Sequence, residues 1–186
     1  LSGAHGRRDG SDPTSHYLAV RVDKTGSLIA TAAEFGAYYS GAEPAVVESL
    51  RRFGEQIGVA FQISDDILDI ASESTESGKT PGTDLREGIA TLPVLYALQS
   101  DNDDLLRSKL GHLISDPASV TELLEMVKAN GAVERALDVA RRYTRTAAEA
   151  LAALDGSRVG TGLAKLPAAY LDWALSERTA GHYTRG

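Results

Sequence analysis

The chain has 186 residues, 42% of them hydrophobic and 24% charged, with a formal net charge of −7 and no cysteine. That is enough for one domain with a real core, and the acidic balance argues against a nucleic-acid binder that neutralises phosphates with Lys and Arg. Disulfide frameworks and thiolate zinc sites are excluded, and no apolar run approaches the ~18–20 residues of a transmembrane helix, so a cytoplasmic location is expected.

A single domain is expected over 1–186, with residues 1–14 as a flexible lead-in. Gly3, Gly6, Gly10 and Pro13 punctuate a polar stretch that contains no hydrophobic signal region. The four histidines, His5, His16, His112 and His182, are scattered, with no pair at ligand spacing on a helix. The first helix is predicted from about Ser15 to Ser40, because Leu18, Val22, Leu28, Ile29, Ala32, Phe35 and Tyr39 recur at helical spacing. Asp12-Pro13 starts it, and Gly41 with Pro44 stops it. Inside it lies Lys24-Thr25-Gly26; a mid-helix glycine costs ~1 kcal/mol against alanine and marks close approach of a backbone or a ligand. Taken alone, Lys24 reads better as a surface lysine whose stem snorkels along the helix than as a site residue.

The central helix is predicted from near Glu43 to about Ala71. It carries Gly54 and Gly58, a spacing that marks close helix–helix contact, and then the run Phe61-Gln62-Ile63-Ser64-Asp65-Asp66-Ile67-Leu68-Asp69. On a helix, Gly58, Gln62, Asp65 and Asp69 fall on one line, and Asp66 lies about 100° round from Asp65. Three carboxylates within two turns repel one another, most strongly where water is scarce. They are either a solvated acidic face or a cation site. The flanking Ile57, Val59, Phe61, Ile63, Ile67, Leu68 and Ile70 are hard to place in water and favour the cation site; hard oxygen donors suit Mg²⁺ bridged to substrate phosphates.

Residues 72–82 form a polar loop without hydrophobic anchors. With Lys79 in it and the aspartates just before it, a lid that closes on phosphate is favoured over a plain connector. Helical pattern resumes at Asp84. Thr91 to Leu98 is strongly apolar, with Pro93 in the first turn of a buried helix. Further helices are expected over 103–113, 118–129 (stopped by Asn130-Gly131), 132–154 and 161–178. No period-2 alternation and no 20–50-residue repeat occurs, so the class is all-α, an antiparallel bundle of about seven helices. GxGxxG, Walker A, GxSxG and HExxH are all missing, which leaves nucleotide-binding and common hydrolase readings without support.

FQISDDILD resembles the second aspartate-rich motif of the trans-isoprenyl (polyprenyl) diphosphate synthases. Lys24-Thr25-Gly26-Ser27-Leu28 resembles their upstream lysine-threonine motif. Gly78-Lys79, Gly82-Thr83-Asp84-Leu85-Arg86-Glu87-Gly88 and Thr91-Leu92-Pro93 resemble the segments that follow the aspartates. The three motifs occur in order, and the likeness runs from about Tyr17 to the C-terminus.

The resemblance implies an isoprenoid-synthase bundle and a prenyltransferase that ionises an allylic diphosphate with Mg²⁺ and condenses it with isopentenyl diphosphate. By matching position, it implies Asp65, Asp66 and Asp69 as magnesium carboxylates, with Asp65 and Asp69 the direct ligands and Asp84 in the outer shell. Lys24 and Lys79 would grip the departing diphosphate. Thr25 and Gln62 would be polar to the same site, and Phe61 would border the allylic group. Where many members carry a further lysine after Glu87-Gly88, this chain has Ile89, the mark of a subclass. Nothing in residues 1–20 resembles the first aspartate-rich motif. The resemblance therefore implies a bundle incomplete at its N-terminus, inactive as this piece alone, that pairs as a homodimer or with the missing half. The competing readings are a non-catalytic or regulatory subunit of a two-chain synthase, and an all-α interaction module whose acidic cluster is merely solvated.

Overall fold

The computed structural model describes residues 12–21, 25–72, 80–99, 103–112 and 118–176. Among them the regular elements are all helical: α1 (Pro13–Arg21), α2 (Ser27–Tyr39), α3 (Pro44–Ala71), α4 (Thr83–Arg86), α5 (Leu92–Ala97), α6 (Asp103–His112), α7 (Ala118–Ala129), α8 (Ala132–Glu149) and α9 (Arg158–Ser176), with a 3₁₀ turn at Ala152–Leu154. The all-α class holds. The count exceeds the expected seven because α4 and α5 are separate short helices, and because the helix expected over 15–40 is described as α1 and α2, with 22–24 outside the described residues.

The helix boundaries follow local chemistry. Asp12 caps α1: its carboxylate accepts the Ser15 N–H at 3.2 Å, and Pro13 takes the first-turn position that needs no donor. The same carboxylate accepts the Thr14 hydroxyl, the main reason its pKa is lowered. Gly41 stops α2 with φ 76° while its N–H donates to the Tyr38 carbonyl at 3.1 Å. Asn130 Oδ1 accepts the Ala132 N–H at 3.0 Å and starts α8. Two expected boundaries move. The helix predicted over 132–154 ends as an α-helix at Glu149 and finishes in the 3₁₀ turn. The last helix starts at Arg158, because the Ser157 hydroxyl accepts the Gly160 N–H at 2.9 Å and caps it earlier than Thr161.

The chain divides into two compact units. The first comprises residues up to Tyr17, Asp65–Leu137 and Ser176 onward. Its buried set includes Ile67, Ile70, Leu92, Val94, Val120, Leu123 and Val127, and α7 packs against both α5 and α6. A polar strap ties its N-terminal end down: Gln99 Nε2 donates to Thr14 Oγ1 at 3.0 Å. Arg135 donates to Gln99 Oε1 at 3.2 Å and lies 4.3 Å from the centre of the Tyr96 ring. Among the described residues one buried side-chain polar atom, the Thr91 hydroxyl, has no hydrogen-bond partner.

The second unit comprises Leu18–Ser64 and Asp138–Leu175. Phe53, Ala147 and Leu151 form a buried cluster, with Leu50, Ile57, Leu163 and Ala164 packed around it. Phe53 and Ile57 are four apart on α3, and Ala147 of α8 and Leu151 just beyond its end are also four apart, so each segment lays one stripe into this cluster. α2 crosses α3 at backbone distance: a Cβ on Gly54 would lie 2.7 Å from the Ile29 carbonyl oxygen, and one on Gly58 would lie 2.9 Å from Gly26 Cα. The expectation that Gly54 and Gly58 mark close helix contact is met, and Gly26 is its counterpart on the facing segment.

Candidate active site

The crossing of α2 on α3 sets the first pair of candidate residues. Thr25 and Gly26 form a π-type turn leading into α2, an irregularity that re-aims a side chain. Gly26 lies against Gly58, and one turn further along α3 the Thr25 hydroxyl donates to Gln62 Oε1 at 3.2 Å. Both side chains are part-buried. Lys24, expected to stand beside them, lies outside the described residues. Phe61, next to Gln62, is exposed, and its ring stacks on Tyr170 of α9 with centroids 5.1 Å apart and planes 24° apart. Trp173, one turn on, adds a third ring at 6.1 Å from Tyr170.

The aspartates on the C-terminal half of α3 have three different surroundings. Asp65 is exposed. Asp66 is buried, only 1% accessible, and its carboxylate accepts the hydroxyl of the buried Tyr17 from α1. Asp69 is part-exposed and acts as a long-range cap: its two oxygens accept the N–H groups of Thr83 at 3.0 Å and Asp84 at 3.2 Å. The Asp69 carbonyl accepts the Gly82 N–H at 2.9 Å as well. Gly82 disfavours a side chain: its φ is 73°, and a Cβ would sit 2.8 Å from Val120 Cγ1, which would have to shift. The segment after the polar loop is thus drawn onto the last turns of α3, and Asp84 arrives beside Asp69. Lys79 and loop residues 73–79, the expected lid, lie outside the described residues.

The donor chemistry fits a hard cation in part. Asp65 and Asp69 stand one turn apart on one face of α3, and each carboxylate oxygen can accept more than one partner. Among the described residues no three acidic, His or Cys side chains gather as a ready-made metal site. Two carboxylates leaving the remaining positions to water and phosphate is the arrangement Mg²⁺ commonly takes.

Sequence reasoning did not identify Tyr17, the capping role of Asp69, or Tyr170 and Trp173. The aromatics at 170 and 173 share a helix face with Leu166, a spacing that could have flagged them. Nothing local could have linked Tyr17 to Asp66, 49 residues away.

The polyprenyl synthetase family model matches residues 4–127. Nonaprenyl diphosphate synthase of Mycobacterium tuberculosis is 47% identical over 151 residues, which is 80% of this chain and 45% of that protein. Heptaprenyl diphosphate synthase component 2 of Geobacillus stearothermophilus is 37% identical over 144 residues, 77% of this chain and 44% of that protein. Among solved structures, geranylgeranyl pyrophosphate synthase from Corynebacterium glutamicum, complexed with calcium and isoprenyl diphosphate, superposes with a TM-score of 0.77 at 40% identity. That match covers 91% of this chain and 53% of that one. The chain spans about half the length of the curated relatives it matches. No helix among the described residues is long and apolar enough to cross a membrane.

Proposed function

The chain belongs to the polyprenyl synthetase family, and on that premise we propose that it is the part of a prenyltransferase that binds an allylic diphosphate through Mg²⁺. The reaction is elongation with isopentenyl diphosphate, in the cytoplasm, and turnover belongs to an assembly larger than this chain. Asp65 and Asp69 hold the cation, with Asp84 behind them. Bound Mg²⁺ supplies the charge that stabilises the leaving diphosphate. The Thr25–Gln62 pair, with Lys24 and Lys79, hydrogen-bonds the diphosphate oxygens. Phe61 borders the allylic group, which is apolar and accepts aromatic contact.

The observation that carries this reading is the capture of Gly82, Thr83 and Asp84 by Asp69. Two motifs that are separate in the sequence become one local structure, with the backbone of Asp84 held by the Asp69 carboxylate. A purely solvated acidic face has no need of it. Isothermal titration with a non-hydrolysable allylic thiodiphosphate tests the proposal. Binding that requires Mg²⁺ and is lost in Asp65→Ala supports it, whereas a folded chain that never binds the analogue overturns it.

A partner chain is the second reading. Relatives named heptaprenyl diphosphate synthase component 2, from two organisms, support pairing with another component. Condensing activity that appears only on mixing with a second chain would establish it; activity of a homodimer would exclude it.

A further inference from the structure

We infer that Asp66 is not a metal ligand but a positioning residue, which through Tyr17 fixes the rotation of α3 and hence the aim of Asp65 and Asp69. The inference rests on the proposed function for the role of those two carboxylates, and on burial and bonding for Asp66 itself.

Three carboxylates on two turns of one helix would be expected to share an environment, and they do not. Asp65 is exposed and Asp69 part-exposed, but Asp66 is 1% accessible on a stretch where Ile63, Ile67 and Ile70 are fully buried. An anion among such neighbours stays only where it is hydrogen-bonded, because an unpaired buried charge is strongly destabilising. The Tyr17 hydroxyl, itself on a buried side chain, donates to it from α1. A carboxylate turned inward, with one oxygen taken by a phenol, does not face the solvent side from which a cation and a diphosphate arrive.

The bond has a geometric consequence. Asp66 lies about 100° from Asp65 around the helix axis, and Asp69 lies about 40° from Asp65 in the same sense. Fixing the direction of Asp66 therefore fixes the direction of both outward carboxylates. Removing the phenol would free α3 to turn by a fraction of a residue, which moves two ligands at once. Supporting partners of this kind typically contribute about 10–100-fold to metal affinity without touching the metal.

Substitutions that separate hydrogen bonding from metal ligation test the inference. Asparagine at 66 keeps an oxygen that accepts the Tyr17 hydroxyl but is a poor Mg²⁺ ligand; the same change at 65 removes a ligand. The chain and its variants are titrated with Mg²⁺ and the allylic thiodiphosphate, and melted without ligand. Asp65→Asn is expected to weaken Mg²⁺-dependent binding by at least about tenfold. Asp66→Asn should stay within about threefold of the parent, while Asp66→Ala and Tyr17→Phe each lose about tenfold. In the melts, Tyr17→Phe and Asp66→Ala should each lower Tm by roughly 2–8 °C, with the double variant no worse than the more damaging single one. Additive melting losses, or Asp66→Asn binding as poorly as Asp65→Asn, would overturn the inference. Full binding by both asparagine variants, or none by the parent, overturns the proposed function instead; coupled melts would still support the Tyr17–Asp66 anchor.

Discussion

The two halves of α3 are fastened by opposite means. Its N-terminal half meets α2 through absent side chains: Gly54 faces the backbone of Ile29 and Ala30, and Gly58 faces Gly26. Its C-terminal half is fastened by carboxylates, Asp66 to a phenol and Asp69 to the N–H groups that open α4. The steric half is insensitive to chemistry and intolerant of volume. The polar half accepts an isosteric change and fails when an acceptor disappears. One helix therefore offers two kinds of vulnerability, with Thr25 and Gln62 beside the first and Asp65, Asp66 and Asp69 beside the second.

The largest break is expected in the steric half. Gly54→Ala puts a methyl 2.7 Å from a carbonyl oxygen and 2.8 Å from Ala30 Cα, neither of which is a movable side-chain tip. We expect a loss of about 3 kcal/mol in denaturant unfolding, the upper end for overpacking between backbones. Gly82→Ala should come next, at about 2 kcal/mol. The left-handed φ strains any Cβ, although the Val120 methyl it meets can give a little.

The polar half should respond more weakly and with chemical discrimination. Asp69→Ala removes the acceptor for two N–H groups and should cost about 1–2 kcal/mol, typical of a lost helix cap. Asp69→Asn keeps one carbonyl oxygen and should recover part of that loss. Equal losses for Ala and Asn would mean that volume, and not hydrogen bonding, matters at this end too. Thr91→Val probes the one described buried hydroxyl without a partner; removing that desolvated group should raise stability by about 1 kcal/mol.

The smallest effect sharpens the comparison by pH. Hydrogen bonds from Arg51, at 2.8 Å, and then Arg52, at 2.7 Å, hold the Glu48 carboxyl at about 2 instead of its ordinary 4.5. A depressed folded-state pKa means that this contribution is complete above about 4.5 and is lost as pH falls through about 2. The Glu48 side chain is 46% exposed, so added salt should largely erase the difference between parent and Glu48→Gln at neutral pH. A difference that survives high salt would show that these pairs are more than surface ion pairs.

How much of this was legible follows from distance along the chain. α3 was readable almost to the residue, from near Glu43 to about Ala71, because the apolar spacing runs through Ala71; Pro44, read only as a stop for the helix before, is in fact its first residue. The starts at Asp12-Pro13 and the stops at Gly41 and Asn130-Gly131 were readable because capping is local. The unequal burial of Asp65, Asp66 and Asp69 was not, since it depends on Tyr17 and on the return of Thr83, 14 residues on. Helix spacing sets Asp66 about 100° from the line of Asp65 and Asp69, but it does not say which direction is buried. α4 was legible only as a helical pattern resuming at Asp84; its separation from α5 was not, because four residues carry no periodicity and the cap that holds them belongs to another helix.

The aromatic cluster of Phe61, Tyr170 and Trp173 gives the protein an optical handle. Trp173 is the only tryptophan in the chain, 59% exposed, with the Tyr170 ring 6.1 Å away as an energy donor. Its emission is therefore free of contributions from other indoles. A prenyl chain settling beside Phe61 would exclude water from that indole and shift its emission to the blue, so the unlabelled protein can report its own occupancy.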